Sequence, residues 1–402
     1  ASPLSMTRVL LCSAGIVMLA MGVRHGFGLW LQPITQEHGW LREDFSIAIA
    51  IQNITWGLAG IFSGMIADRF GAYRVILVCA LCYAAGLFGM TLATSPAMFS
   101  LSAGVLIGLA QAGTTYSVIY GVIGRNVPPE RRAWAMGVSA SAGSFGQFMM
   151  MPASGWMISA LGWQTALMVL GGALLIAMPL AVGLREPGFS SAAPPVRRDQ
   201  SIAQALREAF FARSFQLLMA GYFVCGFQVT FIGIHIPSYV KDKGFEPQVA
   251  SLALALIGLF NIFGTYTAGA LAQRFPKHLI LSAIYLARAL AIIAFLLAPQ
   301  TPLSVYLFAG FMGLLWLSTV PVTSASVAQI FGVAHLSMLG GFVFFSHQIG
   351  SFVGVWMGGY LYDRTGSYDL AWYAAIVLGF FAALINLPVD ETPVRRAAGA
   401  SA

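Results

Sequence analysis

Long apolar runs separated by short polar turns make up most of the chain, and twelve of them have the length of a membrane-spanning helix. The pattern predicts an all-α polytopic membrane protein with twelve transmembrane helices. Because the first run is long enough to remain as a span, we expect no cleaved signal peptide. The predicted spans are, to within a few residues, 8–33, 46–67, 75–93, 98–124, 134–160, 164–184, 214–240, 247–272, 278–298, 303–330, 336–361 and 369–388.

The longest polar stretch divides these spans into two sets of six. It contains five arginines and the pairs Ser190-Ser191 and Pro194-Pro195, and it ends in the alternating apolar and polar pattern of a short amphipathic helix at 202–210. We therefore predict an N-terminal six-helix bundle at 1–185, a cytoplasmic linker at 186–213, and a C-terminal six-helix bundle with a short tail at 214–402.

The two halves also resemble each other in sequence at an offset of 204 or 205 residues. Three pairs of segments match, each at the same place in its half, which indicates two pseudo-symmetric bundles of the kind found in secondary transporters. The pairs are Gly22–Pro33 with Gly226–Pro237, Gly64–Gly71 with Gly269–Pro276, and Gly155-Trp156 with Gly359-Tyr360.

Composition and charge agree with a membrane location. The chain is 58% hydrophobic and only 9% charged. If the loops alternate between two sides, fifteen of the twenty-one Lys and Arg residues lie on the side of the termini, and four lie opposite: Arg42, Lys241, Lys243 and Arg364. By the positive-inside rule, both termini are expected to be cytoplasmic in a cell (inner) membrane. The basic charge thus reflects topology and does not indicate nucleic-acid binding.

No motif in the sequence indicates catalysis. The four cysteines lie in apolar spans, and the pair Cys79-x-x-Cys82 has no second ligand pair, so we interpret them as small buried hydrophobes. A phosphate-binding loop, a metal-ligand cluster and a catalytic triad are not found in the sequence. We predict a non-enzymatic protein without cofactor or metal, in a lipid bilayer, as a monomer.

Arg24 is the most informative single residue. It lies with His25 in an otherwise apolar first span, whereas all fourteen acidic residues fall at predicted helix ends or in loops. A charge near mid-membrane costs about 2.5–3.5 kcal/mol on insertion scales, so such residues usually serve a function. The planar guanidinium can donate two parallel hydrogen bonds to a carboxylate. We interpret Arg24 as an anion-binding group; the alternative is a structural cation bonded to backbone carbonyls.

Three motifs resemble those of a known family. The segment Gly64-x-x-x-Asp68-Arg69-x-Gly71-x-x-Arg74 resembles the loop 2–3 signature of the major facilitator superfamily. Pro129–Gly137 and Asp363–Tyr368 are similar to segments of its monocarboxylate transporter and oxalate–formate exchanger branch. The resemblance implies alternating access between two bundles. It also implies a conformational lock on the cytoplasmic side, which we assign to Gly64, Asp68, Arg69, Arg74, Arg131 and Arg132.

The same resemblance suggests further binding residues, on helices that line the cavity in that family. Trp316 matches a tryptophan of the exchangers, His347 falls on their lysine, and Arg24-His25 stand where they carry Gln-Tyr. The helix 8 arginine of the branch is replaced by Thr265, and the carriers' helix 8 aspartate by Asn261. Gln228 is the repeat partner of Arg24, and Tyr116 and Tyr120 share one helix face. The predicted site is Arg24, His25, Tyr116, Tyr120, Gln228, Asn261, Trp316 and His347.

A purely structural role is the alternative for several of these residues. Each polar side chain is, on its own, more often a helix–helix hydrogen bond than a ligand contact. His25 is as consistent with a helix contact as with a proton-linked role, and for His347 we favour substrate contact or proton coupling. For Arg288, on a helix that is peripheral in the family, we expect a structural role.

The function that follows is secondary transport of a small organic anion, a monocarboxylate similar to lactate or pyruvate, by proton symport or anion exchange. Multidrug efflux by proton antiport is the alternative, although such pumps usually read cations with a buried carboxylate. A non-transporting membrane receptor on the same fold is a third hypothesis.

Overall fold

The computed structural model describes residues 4–186, 201–332 and 336–394, and this part of the chain is helical without any strand. Eleven segments within it are long and apolar enough to cross a membrane. The remaining predicted span, the fifth, is the 33-residue helix Pro129–Leu161. Its serines, glycines and Gln147 lower its hydropathy. The fold is therefore the all-α polytopic architecture that the hydrophobic pattern predicts.

The first half contains ten α-helices, with a 3-10 turn at Phe27–Trp30 and a π-helical segment at Ser100–Leu106. The helices are α1 Met6–Arg24, α2 Leu31–His38, α3 Arg42–Phe70, α4 Ala72–Leu92, α5 Pro96–Phe99, α6 Ile107–Thr114, α7 Tyr116–Asn126, α8 Pro129–Leu161, α9 Trp163–Leu174 and α10 Ala177–Gly183.

The second half begins, after residues 187–200 that lie outside the described ranges, with a short helix whose start is capped by Ser201 and Gln204. The helices are α11 Ile202–Phe211, α12 Arg213–Asp242, α13 Pro247–Leu271, α14 Lys277–Leu297, α15 Pro302–Leu315, α16 Thr319–Phe331, α17 Leu336–Thr365 and α18 Asp369–Asn386.

Four spans are interrupted near their middle. The first span breaks just after Arg24, the fourth at Thr115, whose backbone is extended, the sixth between Leu174 and Ala177, and the tenth between Leu315 and Thr319. Thr115 and Thr319 are related by the 204-residue repeat offset, so the fourth and tenth spans break at equivalent positions. Interrupted spans expose backbone polar groups and are a common way to build a binding site at mid-membrane.

Arg288 stabilises the break in the tenth span. Its Nη2 atom donates to the carbonyl oxygens of Leu315 and Trp316, each at 2.6 Å, and its Nε atom donates to Leu315 at 3.2 Å. These carbonyls lie at the end of α15, where a cation also interacts favourably with the helix dipole. Arg288 is fully buried, and its contacts are those of the structural role that we expected for it.

The two halves meet mainly along α3 with α17 and along α8 with α13. We call the side that holds the ends of the described chain the terminal face, because Leu4 bonds to Asn126 there and Val394 to Ile330. The opposite side is the far face. Along α3 and α17, Gly359 packs on Ser46 towards the far face.

Nearer the terminal face the same two helices separate. Gly57 still packs on Gln348 in the middle of the pair. Beyond that point a Cβ atom would meet open space at four glycines, Gly60 and Gly64 on α3 and Gly340 and Gly341 on α17. The halves are therefore closed at the far face and spread apart at the terminal face.

Close backbone packing between α12 and α17 gives a stability prediction. A Cβ atom at Gly226 would overlap the carbonyl oxygen of His347, whereas at Gly233 on the same helix it would meet only Trp316 ring carbons at 3.6 Å or more. We expect Gly226→Ala to destabilise the protein by about 1–3 kcal/mol, as overpacking does. Gly233→Ala is the matched control and should leave the melting temperature in detergent unchanged or raise it. Equal melting temperatures for the two variants would contradict this packing.

Candidate functional site

Arg24 lies at the break of the first span and is oriented by the facing side of α3. Its Nη2 atom donates to Asn53 Oδ1 at 2.8 Å and its Nη1 atom donates to Gln52 Oε1 at 3.5 Å. The guanidinium carbon lies 4.3 Å from the ring centroid of Trp56, a cation–π geometry. Within the described residues its hydrogen bonds reach amide oxygens and no carboxylate. The side chain is partly exposed, and a guanidinium has more donors than these two bonds use.

A row of rings leads from Arg24 across to the second half. Trp56 meets Phe344 of α17 edge-on, with centroids 5.2 Å apart. Phe344 is nearly parallel to the imidazole of His347, with centroids 6.0 Å apart, and the ring of Tyr222 on α12 lies 4.9 Å from the same imidazole. Arg24 and His347, two predicted site residues on different spans, are thus joined by one aromatic layer at the interface of the halves.

A hydrogen-bonded path joins the same two residues. The backbone carbonyl of Asn53 accepts a bond from Gln348 Nε2 at 3.1 Å, and Gln348 Oε1 lies 3.1 Å from His347 Nδ1. Asn53 therefore contacts Arg24 through its side chain and Gln348 through its backbone. A displacement of α3 against α17 would change the surroundings of both Arg24 and His347.

Two tyrosines and His25 complete the first-half side of the site. Tyr116 lies at the start of α7 within electrostatic range of Arg24, and its ring is 5.4 Å from that of Tyr120. Both tyrosines are partly exposed. His25 directs Nδ1 to the carbonyl of Met21 at 2.7 Å, the bond of a helix contact. Its Nε2 atom is not used in this bond.

Gln228, Asn261 and Trp316 have different surroundings. Gln228 donates to the carbonyl of Ala375 at 2.9 Å and lies 3.5 Å from Arg288, so its contacts are within the second half. Trp316 is buried, and its carbonyl is one of those that bind Arg288. Both residues belong to the packing of the second half, and neither contacts Arg24.

Asn261 bridges the halves at a second place. Its Nδ2 atom donates to Ser144 on α8 at 2.9 Å, and its Oδ1 atom accepts the backbone N–H of Leu317, at the break of the tenth span, at 3.0 Å. Asn261 therefore ties that break to the interface between α8 and α13. Its Oδ1 atom also accepts a bond from the Thr265 hydroxyl at 3.1 Å, so both the oxygen and the nitrogen of the amide have protein partners.

Sequence reasoning missed Gln52, Trp56 and Gln348 as neighbours of the predicted site. A signal existed for Trp56, because it lies three residues after Asn53 and so shares its helix face. Gln348 is adjacent to His347, but only its contact with Asn53 across the interface gives it importance. This contact depends on how α3 and α17 pack against each other, and a single sequence does not reveal that packing.

The predicted lock lies at the terminal face. Arg69 and Arg131 are exposed there, Arg74 donates to the Tyr73 hydroxyl at 3.0 Å, and Arg132 donates to the carbonyl of Val127 at 2.9 Å. Gly64 faces open space. The side chain of Asp68 lies outside the described part of the structure. The bonds of Arg74 and Arg132 stay within the first half, and the lock remains a prediction.

Charged contacts between the halves are concentrated at the far face instead. Arg42, at the start of α3, binds both carboxylate oxygens of Asp242 on α12, at 2.7 and 2.8 Å. Its guanidinium also donates to the Tyr368 hydroxyl at 2.8 Å. Gln32 adds a bond from α2 to Asp242 at 2.7 Å. The bidentate geometry is the strong form of an arginine–carboxylate pair.

Asp363 extends this contact. Its carboxylate accepts the backbone N–H groups of Arg42 at 3.2 Å and of Glu43 at 2.6 Å, so the second half caps the first turn of a helix in the first half. We call Gln32, Arg42, Asp242, Asp363 and Tyr368 the far-face cluster. Asp363 and Tyr368 belong to the motif that the sequence analysis compared with monocarboxylate transporters.

Comparison with known proteins decides the family. A profile of the Major Facilitator Superfamily matches residues 10–319 and 218–402. The chain belongs to this superfamily. It is a multi-pass membrane transporter and not an enzyme, as the sequence analysis predicted.

Two members of the superfamily are similar to this chain over most of its length. YcxA of Bacillus subtilis (strain 168), an uncharacterized MFS-type transporter, is 25% identical over 375 residues, which is 90% of each chain. Monocarboxylate transporter 12 of Rattus norvegicus is 26% identical over 358 residues, or 79% of this chain and 73% of the relative. Both alignments run through the two halves of the transporter.

Solved structures of the superfamily share the fold. A bacterial homologue of the human lysosomal transporter Spinster superposes with a TM-score of 0.78 at 18% identity, over 94% of this chain and 96% of that one. The nucleoside transporter NupG superposes with a TM-score of 0.73 at 15% identity, over 95% of this chain and 99% of that one. At these identities the similarity concerns the fold alone.

Proposed function

We propose that this superfamily member is a secondary transporter of a small organic anion, most simply a monocarboxylate of the lactate or pyruvate type. The observation that carries the proposal is the surroundings of Arg24. A guanidinium at mid-membrane is held in place by two amide oxygens and an indole ring, without a carboxylate partner among the described residues. A negative charge that balances it must then come from a ligand.

The shape of the site favours a compact anion with one carboxylate. Arg24 supplies a planar fork for the carboxylate, and Trp56 and Phe344 supply apolar surface for the rest of the molecule. His347 is the second group that is able to hold an anion, from the other half. The relatives named monocarboxylate transporters support the same substrate class.

We infer that the protein acts as a monomer in the cell (inner) membrane and transports its substrate by alternating access. Its terminal face is then on the cytoplasmic side. The charge asymmetry of the loops supports this orientation. The far-face cluster then closes the external side while the cytoplasmic side is open. The lock at Asp68 and its neighbouring arginines would act in the opposite state, when the terminal face closes.

A ligand screen on the purified protein tests the substrate class. Melting temperature in detergent is measured with lactate, pyruvate, benzoate, succinate, the methyl esters of these acids and a lipophilic cation. We expect stabilisation by at least one monocarboxylate and none by its ester, because ligand binding to the folded state raises stability in proportion to occupancy. Stabilisation by the ester or the lipophilic cation, with no response to carboxylates, would favour multidrug efflux and reject the proposal.

A further inference from the structure

His347 is the titratable residue among the described buried side chains with an atom that lacks a hydrogen-bond partner. Its side chain is 6% exposed and packs against Phe344 and Tyr222. Its Nδ1 atom lies 3.1 Å from Gln348 Oε1 and 3.4 Å from the Ser351 hydroxyl. Its Nε2 atom is buried and has no hydrogen-bond partner among the described residues. The two nitrogens of one imidazole thus have opposite environments.

The amide of Gln348 determines which nitrogen of His347 carries the hydrogen. Gln348 Nε2 faces the backbone carbonyl of Asn53 at 3.1 Å, and a carbonyl can only accept. The Oε1 atom of the same amide must then face His347, where it accepts a bond from Nδ1–H. Since a neutral imidazole carries one hydrogen, Nε2 presents a bare lone pair at the interface of the halves.

A buried acceptor without a partner is unfavourable, so its presence points to something that occupies it during the transport cycle. The occupant must be small, because the imidazole is 6% exposed and packs against two rings. A proton meets this condition, and histidine is the side chain that gains and loses a proton near neutral pH. A bound proton makes the imidazole a cation and gives Nε2–H a donor role towards a carboxylate.

We propose that Nε2 of His347 is the proton-binding atom of a proton-coupled anion transporter; the inference rests on the proposed function. One proton from the solvent binds the lone pair, and one carboxylate binds Arg24. The added charges sum to zero, so the loaded site is no more charged than the empty one when the halves rock. Release on the other side returns one proton and one anion.

The contacts around the imidazole explain how the two events are coupled. Asn53 accepts the Arg24 bond through Oδ1 and the Gln348 bond through its backbone carbonyl, so one residue of α3 holds both sites. Protonation at Nε2 strengthens the hydrogen bond from Nδ1–H to Gln348. The anion binds to the Arg24 guanidinium, which Asn53 orients. Both ligands therefore act on the contact between α3 and α17.

No carboxylate faces His347 from the described elements that pack against it. From α12, the titratable neighbours are Tyr222 at 4.9 Å and Cys225, whose thiol interacts with the His347 side chain and lies 3.2 Å from the Thr319 hydroxyl of α16. From α3, its neighbours are uncharged. The nearest cations are Arg288, beyond Cys225, and Arg24, beyond Asn53. His347 is the group on this interface that can exchange a proton while a carboxylate is bound nearby.

The test separates accumulation from exchange in proteoliposomes. Labelled lactate, pyruvate and benzoate serve as probes, and protein-free vesicles give the passive background. In the first assay an acidic exterior drives uptake into vesicles free of the probe. In the second, unlabelled probe inside exchanges with labelled probe outside at equal pH, which requires no net proton movement. The proteins are wild type, His347→Gln and His278→Gln, each checked by melting temperature; glutamine retains a donor for Gln348. His278 lies at the start of α14, where it bonds to Glu391 outside the site.

One coupled proton supports about tenfold accumulation per unit of pH difference, so wild type should reach that ratio. We expect His347→Gln to lose the accumulation and to keep exchange, and His278→Gln to keep both. Accumulation that survives in His347→Gln, or a folded His347→Gln without exchange, would overturn the proton role. Wild type that exchanges a probe but ignores the pH difference would overturn only this inference. Wild type that moves no probe would overturn the proposed function as well.

Discussion

Replacing Arg24 by glutamine should lower the initial rate of carboxylate uptake by about 100-fold or more, because losing a desolvated charged partner costs about 2–5 kcal/mol. The glutamine retains a donor but no charge, and it cannot present a planar fork to two carboxylate oxygens. The effect should appear in binding as well as in uptake. The measurement is initial uptake into proteoliposomes of the probe that stabilises wild type.

Two further variants make this result specific. Arg24→Lys keeps the charge without the fork and should fall between wild type and Arg24→Gln. Arg8→Gln removes an exposed arginine from the same helix α1 and should transport at the wild-type rate. Equal rates for Arg24→Gln and Arg8→Gln, with both proteins folded, would show that Arg24 does not hold the substrate.

The second large effect is expected at the far face. Asp242→Ala removes both bonds to Arg42 and the bond to Gln32, while Asp363 still caps α3. The pair is partly exposed, so we expect a loss of about 1–2 kcal/mol from the closed state, a factor of about 5–30 in the open population. Hydrogen exchange of the far-face ends of α2, α3 and α12 should accelerate by that factor.

Asp369→Asn is the matched control for this variant. Asp369 is an exposed far-face carboxylate at the start of α18, and it lies outside the far-face cluster. Its replacement should leave exchange at α2, α3 and α12 unchanged. If Asp242→Ala gives the exchange pattern of Asp369→Asn, the far-face cluster does not hold the two halves together.

The spans and the pairing of the halves were predictable because they follow from hydrophobic periodicity and from an internal repeat. The interruptions were not predicted. The fourth span breaks at Thr115 without a proline beside it. The tenth breaks after Leu315, shortly before Pro321, which has no N–H to donate to the carbonyl of Leu317 and was therefore a usable signal. Tertiary partners satisfy the freed carbonyls, as Arg288 does for Leu315 and Trp316, and such partners are distant in sequence.

Gln228 illustrates a limit of the repeat argument. Its position in the second half matches that of Arg24 in the first, so its side chain was expected to face the cavity as well. A repeat equates backbone positions, however, and the neighbours differ: Arg288 from α14 and the carbonyl of Ala375 bind the Gln228 amide. Each half has an arginine beside an interrupted span. In the first half it is the partly exposed Arg24 on α1, and in the second it is the buried Arg288 on α14.

The charges that join the halves were visible in the sequence only as helix-end residues. Arg42, Asp242 and Asp363 lie in three separate loops or helix termini, 200 and 321 residues apart in the two pairs that involve Arg42. Helix ends collect charged residues in any membrane protein, so this placement alone predicts no pairing. The fold brings these termini together at one face, and their charges then become a contact between bundles.

A carboxylate bound on the guanidinium of Arg24 would be visible in a crystal structure. The measurement is anomalous diffraction from crystals grown with a bromo-substituted carboxylate, chosen from those that stabilise wild type. We expect the carboxylate within hydrogen-bond distance of Arg24 and the bromine against Trp56 and Phe344. Bromine density in the second half beside Arg288, or at the far-face cluster, with Arg24 still bonded only to Gln52 and Asn53, would contradict binding at Arg24.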